Sequence, residues 1–255
     1  MITAESLRGY PGVRHGFFTR EGGVSAGGYA SLNCSASTGD DLAKVNQNRT
    51  RVAGMLGVAP ENLVTAKQVH GISVAEVTRP FAGALPEHDA LVTREPGLAL
   101  GVLTADCAPV LFSDFTAGVV GVAHAGWRGA YDGVIEATVA ALVRLGAQTD
   151  QIAAAVGPTI AQPSYEVSDE FQARFVDGDP ASAPFFTAGT RAAHFQFDLP
   201  EYVGLRLLRA GLRRIEILER DTAAEPALFF SHRRSTLAGE GQVGRQMSAI
   251  LLTPR

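Results

Sequence analysis

The sequence contains no long hydrophobic run and very little cysteine. No segment reaches the roughly 18 consecutive apolar residues of a membrane-spanning helix, and the first residues lack the basic and then apolar segments of a secretory signal. Only Cys34 and Cys107 occur in 255 residues, too few for a disulfide framework. We therefore expect a cytoplasmic protein without membrane contact, in which a cysteine is free to act as a catalytic or metal-bound thiolate.

A surplus of positive charge is also missing. The chain carries 22 Lys and Arg against 26 Asp and Glu, a net charge of −4, and its arginines are scattered rather than gathered in a run. Nucleic-acid-binding surfaces need a basic patch, so nucleic acid is not an expected partner. With 46% hydrophobic residues, the chain is long enough to bury a sizeable core.

Short apolar segments separated by turn residues predict a sheet in the middle of the chain. They are rich in Val and Leu and too closely spaced for helices. These central strands are predicted at Asp89–Thr93, Leu98–Leu103, Pro109–Phe112 and Gly118–Ala123. Further strands are predicted at 12–18, Leu63–Thr65, Ser73–Val77, Ile152–Val156, Ile215–Leu218, Leu228–Ser231 and Met247–Leu252.

Helical periodicity occurs on both sides of this region. Ile135, Val139 and Leu142 recur at helical spacing before Gly146, which is typical of a helix end. The predicted helices are Asp40–Leu56, Tyr131–Leu145, Ser168–Phe175 and Leu199–Ala210, and a loop rich in Pro, Ala and Gly is predicted through about residue 190 as a flexible insertion. The sequence shows no repeat or linker, so we predict one α+β domain over residues 1–255, with mixed β-sheets flanked by helices.

Two motifs carry the strongest chemical signal: Thr-Ala-Asp-Cys-Ala-Pro at 104–109 and Ala-His-Ala-Gly-Trp-Arg-Gly at 123–129. Each places a metal-capable or nucleophilic side chain, Cys107 or His124, just past an apolar strand, and His70 is a third candidate. Three protein ligands with an open fourth position are typical of catalytic zinc. The spacings are too wide for a short zinc signature, so only the fold can unite these groups. Taken singly, an inert core cysteine and a solvated histidine are the alternatives.

The residues beside these candidates suggest proton handling and anion binding. Asp106 can orient a ligand or accept a proton. Gly126–Gly129 join a strand to a helix, a common anion site, where Arg128 can make a forked contact to phosphate. The alternative is a tight turn that needs glycine only for its backbone. The P-loop order and the nucleobase-deaminase signature are both absent.

Several polar residues elsewhere are candidates to line a pocket. A glycine-dense loop at 20–28 can let a ligand approach the backbone. Each polar candidate also has a solvent-exposed alternative, and Cys34 is expected to be a small buried residue. The candidates are Arg20, Asn33, Asn48, Arg49, Lys67 and Gln68.

A series of motifs runs in order over nearly the whole chain. The most specific are Thr104-Ala-Asp-Cys107 and His124-Ala-Gly-Trp-Arg-Gly129. The others are Gly16–Ser25, Leu32-Asn33, Ser37–Asp41, Asn48-Arg49, Gln68–Gly71, Asp89–Thr93, Gly157-Pro158 and Gly244-Arg245. Together they resemble the YfiH family of laccase-domain proteins.

This resemblance implies a CNF/YfiH-like fold, shared with proteins described as cysteine hydrolases, and a zinc ion bound by His70, Cys107 and His124. It also implies a zinc-dependent purine nucleoside phosphorylase that uses inorganic phosphate to split adenosine, inosine and methylthioadenosine into base and ribose 1-phosphate, with adenosine deamination as a second activity. We expect Asp106 and Arg128 to act in catalysis. Substrate or phosphate binding is expected of Arg20, Asn33, Arg49, Lys67, Gln68, Gly126 and Gly129.

The older family label, polyphenol oxidase or laccase, does not suit this sequence. A multicopper site needs many imidazoles, commonly in His-x-His pairs, whereas the chain has six histidines and no such pair. Zinc is therefore expected and copper disfavoured. The chain also has Asp221-Thr222 where relatives often carry Cys-Thr, so no role of that cysteine applies here.

Two other functions stay open at this stage. Cys107 as nucleophile and His124 as base would make a cysteine hydrolase, such as an amidase acting on a peptidoglycan precursor. A non-enzymatic protein that retains a metal is the third alternative. The sequence indicates neither the preferred nucleoside, nor the dominant reaction, nor the oligomeric state.

Overall fold

The computed structural model describes residues 1–8 and 12–253. The strands are β1 Val13–Phe17, β2 Leu63–Val64, β3 Val74–Glu76, β4 Ala90–Thr93, β5 Ala99–Thr104, β6 Ala108–Asp114, β7 Val119–Ala125, β8 Ala153–Val156, β9 Glu166–Ser168, β10 Phe186–Ala188, β11 His194–Phe197, β12 Arg214–Ile217 and β13 Gln246–Leu252. The helices are α1 Leu42–Leu56, α2 Trp127–Asp132, α3 Val134–Arg144, α4 Asp169–Gly178, α5 Leu199–Arg209 and α6 His232–Leu237. Short 3-10 helices lie at Glu5–Leu7, Gly27–Tyr29, Pro60–Asn62, Gln162–Ser164 and Pro180–Phe185.

Six strands form the larger sheet, in the order β12-β8-β6-β7-β4-β3. Its central strands β6 and β7 are antiparallel, and all their residues are buried because both faces of the sheet are covered. Successive side chains of β6 enter different cores, as strand geometry requires. Val110 and Phe112 pack with Leu142 of α3 and Leu207 of α5, whereas Leu111 packs on the opposite face.

The second sheet has the order β1-β13-β5-β2 and lies against that opposite face. Leu100 of β5 and Ile250 of β13 share a hydrophobic cluster with Leu111. On the outer side of this sheet, Val52 and Leu56 of α1 pack against its strands. The layers are therefore helix, sheet, sheet and helix, and the predicted mixed α+β class is confirmed.

A three-stranded sheet, β10-β11-β9, lies on the same side of the molecule as helices α3 and α5. The prediction of a loop through about residue 190 is wrong for residues 180–188. They form the 3-10 helix Pro180–Phe185 and strand β10. Aromatic packing explains the order: Phe186 stacks on Phe197 with ring centroids 4.7 Å apart, and Phe185 meets Tyr202.

Two other predictions need correction. The helix predicted over Tyr131–Leu145 is two helices, because Gly133 has φ 111°, a left-handed conformation that ends α2 before α3 begins. The strand predicted at Leu228–Ser231 is absent. Phe230 instead exchanges backbone hydrogen bonds with the side-chain amide of Gln246, which replaces a strand partner.

The other predicted elements are confirmed to within a few residues at their ends. Helix α1 begins after Asp41, whose carboxylate caps the amide of Ala43, and ends at Gly57 with φ 73°. No helix within the described residues is long and apolar enough to cross a membrane.

Candidate metal centre

Three segments meet at one edge of the paired sheets. Strands β2 and β5 are parallel, so the segments that follow them, carrying His70 and Cys107, leave the sheet on the same side. Cys107 immediately precedes β6, where Pro109 lies opposite His124 of β7. The fold therefore brings together three residues that are far apart in sequence.

The side chains of His70, Cys107 and His124 form a cluster whose candidate ligand atoms all lie within 4.8 Å of one another. Cys107 Sγ is 3.8 Å from His70 Nε2, and the two imidazole centroids are 4.7 Å apart. Zinc bonds of about 2.0–2.3 Å place tetrahedral donors roughly 3.3–3.7 Å apart. The donor set therefore fits a zinc-sized ion with little movement, and exposed His70 leaves one side of the cluster open.

Gly126 makes room for this cluster. A Cβ atom at this position would lie 2.9 Å from His70 Cδ2 and 3.0 Å from Cys107 Sγ, too close for either side chain to stay in place. The φ of Gly126 is −67°, which any residue can adopt, so space rather than backbone conformation requires the glycine.

Asp89 supports two of the three candidate ligands. Its buried carboxylate accepts hydrogen bonds from the backbone N–H groups of Val69, His70 and Gly71, which fixes a turn where His70 has φ 60°. It also accepts a 2.8 Å hydrogen bond from His124 Nδ1, leaving His124 Nε2 for the cluster. No site role for Asp89 was predicted from the sequence. The only sequence feature that could have indicated such a role is the position of this carboxylate at the start of the apolar segment Asp89–Thr93.

The charges in the cluster favour a thiolate. Burial raises the pKa of the Cys107 thiol, but the positive charge of His124 and hydrogen bonds from both imidazoles outweigh it and lower the pKa to about 6. Burial lowers the pKa of His124, and the opposing effects of Cys107 and Asp89 raise it to about 9. By contrast, burial raises the pKa of Cys34 to about 12. Cys107 is therefore suited to bind a metal or to act as a nucleophile.

Asp106 supports the turn that carries Cys107. Its carboxylate accepts hydrogen bonds from Thr222 Oγ1 at 2.7 Å and from the backbone N–H of Arg233 at 2.6 Å. Its carbonyl oxygen accepts from Thr159 Oγ1 and the backbone N–H of Ile160. These bonds hold Asp106 at φ 90°, an uncommon conformation for a residue with a Cβ.

Gln68 and Lys67 precede His70 but differ in their contacts. The amide of Gln68 donates to the carbonyl of Leu103 and accepts from its N–H, both at 2.8 Å, so it ties this segment to the end of β5. Lys67 is exposed and pairs with Glu87 at 2.8 Å.

Three other predicted site residues lie in different surroundings. Arg49 is half-buried and donates to Cys34 O and Thr65 Oγ1 in the cavity described below. Asn33 is fully buried; its side-chain amide donates to groups of its own loop, and its Oδ1 accepts the backbone N–H of Arg245. Arg20 lies over the Phe230 ring and lines a different cavity, so the structure does not bring it to the cluster.

The predicted anion turn also differs from expectation. Arg128 is exposed, with its guanidinium 5.3 Å from the centroid of the adjacent Trp127 ring. A Cβ at Gly129 would lie 3.1 Å from the carbonyl oxygen of Gly71, so this glycine permits close packing of α2 against the turn that carries His70. Among the described residues, neither Arg128 nor Gly129 lines the cavity next to the cluster.

A cavity of about 750 Å³ opens from the cluster. This volume lies within the range of small-molecule sites, about 300–1,000 Å³. Besides the three cluster residues, its walls include Thr65, Thr104, His232, Arg245, Phe81 and Leu85. None of these six was proposed as a site residue from the sequence, since no local pattern indicates which loops cover a cavity.

Comparisons with known proteins agree on one family. Residues 14–253 match the family model described as multi-copper polyphenol oxidoreductase laccase. A Streptomyces griseus protein named purine nucleoside phosphorylase ORF3 is 45% identical over 75% of this chain and 79% of its own length. A purine nucleoside phosphorylase of Deinococcus radiodurans is 39% identical over 95% and 90% of the two chains. The crystal structure of Bacillus licheniformis YfiH, at 33% identity, superposes with a TM-score of 0.88 over 94% and 93%.

Proposed function

Since this chain belongs to the multi-copper polyphenol oxidoreductase laccase family, whose members similar to it are named purine nucleoside phosphorylases, we propose that it is a zinc-dependent purine nucleoside phosphorylase. Its proposed substrates are adenosine, inosine and methylthioadenosine together with inorganic phosphate, and its proposed second activity is the deamination of adenosine. The proposed compartment is the cytoplasm.

The observation that carries this proposal is a cluster of two imidazoles and one thiol beside a cavity of nucleoside size. His70, Cys107 and His124 are the proposed zinc ligands. Zinc with an open coordination position polarises substrate oxygens and lowers the pKa of water to about 7. Copper also accepts imidazole and thiolate ligands, but the six histidines and absence of a His-x-His pair do not suit a multicopper oxidase.

Phosphorolysis makes and breaks one bond at C1′ of the ribose. A phosphate oxygen bonds to C1′ as the bond from C1′ to N9 of the purine breaks, and the departing base keeps the electron pair and takes up a proton. The cavity offers Arg49 to the phosphate, while Phe81 and Leu85 provide apolar surface for the base. Asp89 orients His124, and Asp106 holds the Cys107 turn. We assign Asp106 an orienting role, because its two carboxylate oxygens already accept hydrogen bonds.

The test measures the metal content of the purified protein and then its reaction with inosine and phosphate. We expect hypoxanthine and ribose 1-phosphate in equal amounts, no product without phosphate, and no product after chelation until zinc is restored. Adenosine in phosphate-free buffer should release ammonia if the second activity is present. Protein with full zinc that yields no hypoxanthine would refute the proposed phosphorylase.

A cysteine hydrolase is a second candidate because His124 lies between Asp89 and Cys107. The hydrogen bond from His124 Nδ1 to Asp89 resembles the base-orienting contact of hydrolytic triads. Metal-free protein that hydrolyses an amide and is inactivated by alkylation of Cys107 would favour this candidate. Zinc that protects Cys107 from alkylation would favour the phosphorylase, and bound zinc without any turnover would indicate a non-enzymatic metal protein.

A further inference from the structure

One residue of the cavity wall has a buried hydroxyl without a partner in the described part of the chain. Thr104 is 1% exposed and lines the cavity, yet its Oγ1 has no hydrogen-bond partner within the described residues. Buried hydroxyls are nearly always satisfied, and an exception calls for a ligand or another explanation. Thr104 ends β5 three residues before Cys107, so its hydroxyl lies on the same edge of the sheet as the metal cluster.

Arg245, immediately before the neighbouring strand β13, has a guanidinium without a partner among the described residues. In the antiparallel pair of β5 and β13, Thr104 is opposite Gln246, so Arg245 lies one residue beyond it at this edge. The backbone of Arg245 is fixed, because its N–H donates to Asn33 Oδ1 and its carbonyl accepts from Cys34 N–H. Its half-buried side chain lines the cavity and makes no hydrogen bond or ion pair with the described residues.

Arg49 brings a second guanidinium to the cavity. Its Nη atoms donate to the carbonyl of Cys34 and to Thr65 Oγ1. Cys34 therefore contacts both arginines, Arg49 through its carbonyl and Arg245 through its N–H. This shared neighbour places the backbone of Arg245 close to the guanidinium of Arg49, and both arginines line the cavity.

The negative groups nearby do not neutralise this pair. Glu61 lines the cavity as an exposed residue and makes no ion pair with any described residue, and Glu87 already pairs with Lys67. Two guanidinium-bearing residues therefore line the cavity beside the cluster, and Thr104, whose buried hydroxyl has no partner among the described residues, belongs to the same lining. Planar guanidinium groups and hydroxyl donors are the usual partners of phosphate oxygens.

We propose that Arg245, Arg49 and the hydroxyl of Thr104 form the phosphate subsite of this cavity. The proposal rests on the proposed phosphorylase function and adds which wall receives the phosphate group. The phosphate group is thus assigned to residues at the start of β13 and the end of β5. The sequence had predicted the segment 126–129 instead, but its Arg128 lies outside the cavity. The phosphate group can belong to inorganic phosphate or to the monoester of a nucleotide, because both present the same oxygens.

The test measures binding of inorganic phosphate and, separately, of adenosine 5′-monophosphate to zinc-quantified protein by calorimetry. Arg245→Gln should weaken the binding of the true ligand by about tenfold or more, since a hydrogen bond to a charged group is lost. Arg94→Gln is the charge-matched control, because Arg94 is exposed beyond the end of β4 that lies away from His124. This control should change neither affinity.

Thr104→Val provides a second test that separates ligand binding from folding. It removes the unpaired hydroxyl with little change of shape, so without phosphate the melting temperature should hold or rise. With phosphate, the variant should show a smaller increase in melting temperature than the wild type. Ser113→Ala is the control, since Ser113 Oγ is also buried and has no partner within residues 1–8 and 12–253, but lies on β6 outside the cavity.

The outcomes separate the two proposals. Phosphate binding that depends on Arg245 supports a subsite for the free ion, and binding of the nucleotide alone that depends on Arg245 supports a subsite for its monoester. If neither probe binds the wild type, or if Arg245→Gln binds both as tightly as Arg94→Gln, the subsite is refuted. Hypoxanthine production by the same wild-type sample then decides independently whether the phosphorylase proposal stands.

Discussion

The turn that carries His70 and the turn that carries Cys107 are each held by a buried aspartate, but the two aspartates bind different groups. Asp89 accepts hydrogen bonds from the backbone of the His70 turn and also from the imidazole of His124. Asp106 accepts hydrogen bonds from Thr222 and the backbone of Arg233, distant residues that do not belong to the cluster. One carboxylate therefore contacts a candidate ligand directly, and the other shapes the backbone beside a ligand.

Burial and a position beside a ligand therefore do not by themselves define a catalytic acid. Both oxygens of Asp106 are occupied by donors from the 222–233 segment, so this residue links the Cys107 turn to a distant part of the chain. Asp89 fixes the ring orientation of His124 and should control metal affinity more strongly. Variants of the ligand and of each aspartate test this comparison.

The largest effect is expected for Cys107→Ala. Loss of the thiolate leaves two imidazoles, so bound zinc should fall from about one ion per chain to background and nucleoside turnover should be abolished. The circular dichroism spectrum should be unchanged, because the sheets do not depend on this side chain. Cys34→Ala is the control: Cys34 is buried away from the cluster and should be dispensable for zinc. If Cys107→Ala still binds about one zinc ion per chain, Cys107 is not a zinc ligand.

A smaller loss is expected for Asp89→Asn. The amide group can accept fewer hydrogen bonds than the carboxylate, so the His70 turn and His124 lose their fixed positions. Zinc affinity should fall by about 10–100-fold, and the free energy of unfolding by about 1–3 kcal/mol. Competition with a chelator measures the first quantity, and urea denaturation of the metal-free protein measures the second. Unchanged zinc affinity would contradict the direct role of Asp89.

The smallest effect on zinc is expected for Asp106→Asn. The new amide can accept the N–H of Arg233 through its oxygen and donate to the Thr222 hydroxyl through its nitrogen, so only the charge of the acceptor is lost and stability should fall by about 1 kcal/mol. Zinc affinity should fall less than in Asp89→Asn. A stable, zinc-loaded Asp106→Asn protein with no turnover would show instead that Asp106 handles a proton in the reaction.

Much of the fold was predictable because it depends on local patterns. Buried strands such as β6 and β7 are continuous apolar segments, and α1 has a capping aspartate and a terminal glycine. The strand predicted at Leu228–Ser231 was wrong because its pairing was replaced by the side chain of Gln246, a distant residue that no local pattern reveals. The order of strands in each sheet likewise depends on contacts between distant segments.

The candidate site was predictable only in part. The motifs identified His70, Cys107 and His124, and the fold brings them together, although their binding of zinc stays a prediction. Asp89 was missed because its partners lie 18 to 35 positions away. Arg245 was part of a motif, but only the register of β13 against β5 places it beside the cavity.

The three candidate ligands belong to segments that become neighbours only after the strands have paired. A metal ion has no preformed site in the unfolded chain, so its uptake should follow folding rather than start it. The exposed side of His70 gives the ion a route into the finished protein. Refolding of the metal-free protein, followed by the fluorescence of the single tryptophan, Trp127, should therefore proceed at the same rate with and without zinc. Acceleration by zinc would show that the ion takes part in assembling the sheets.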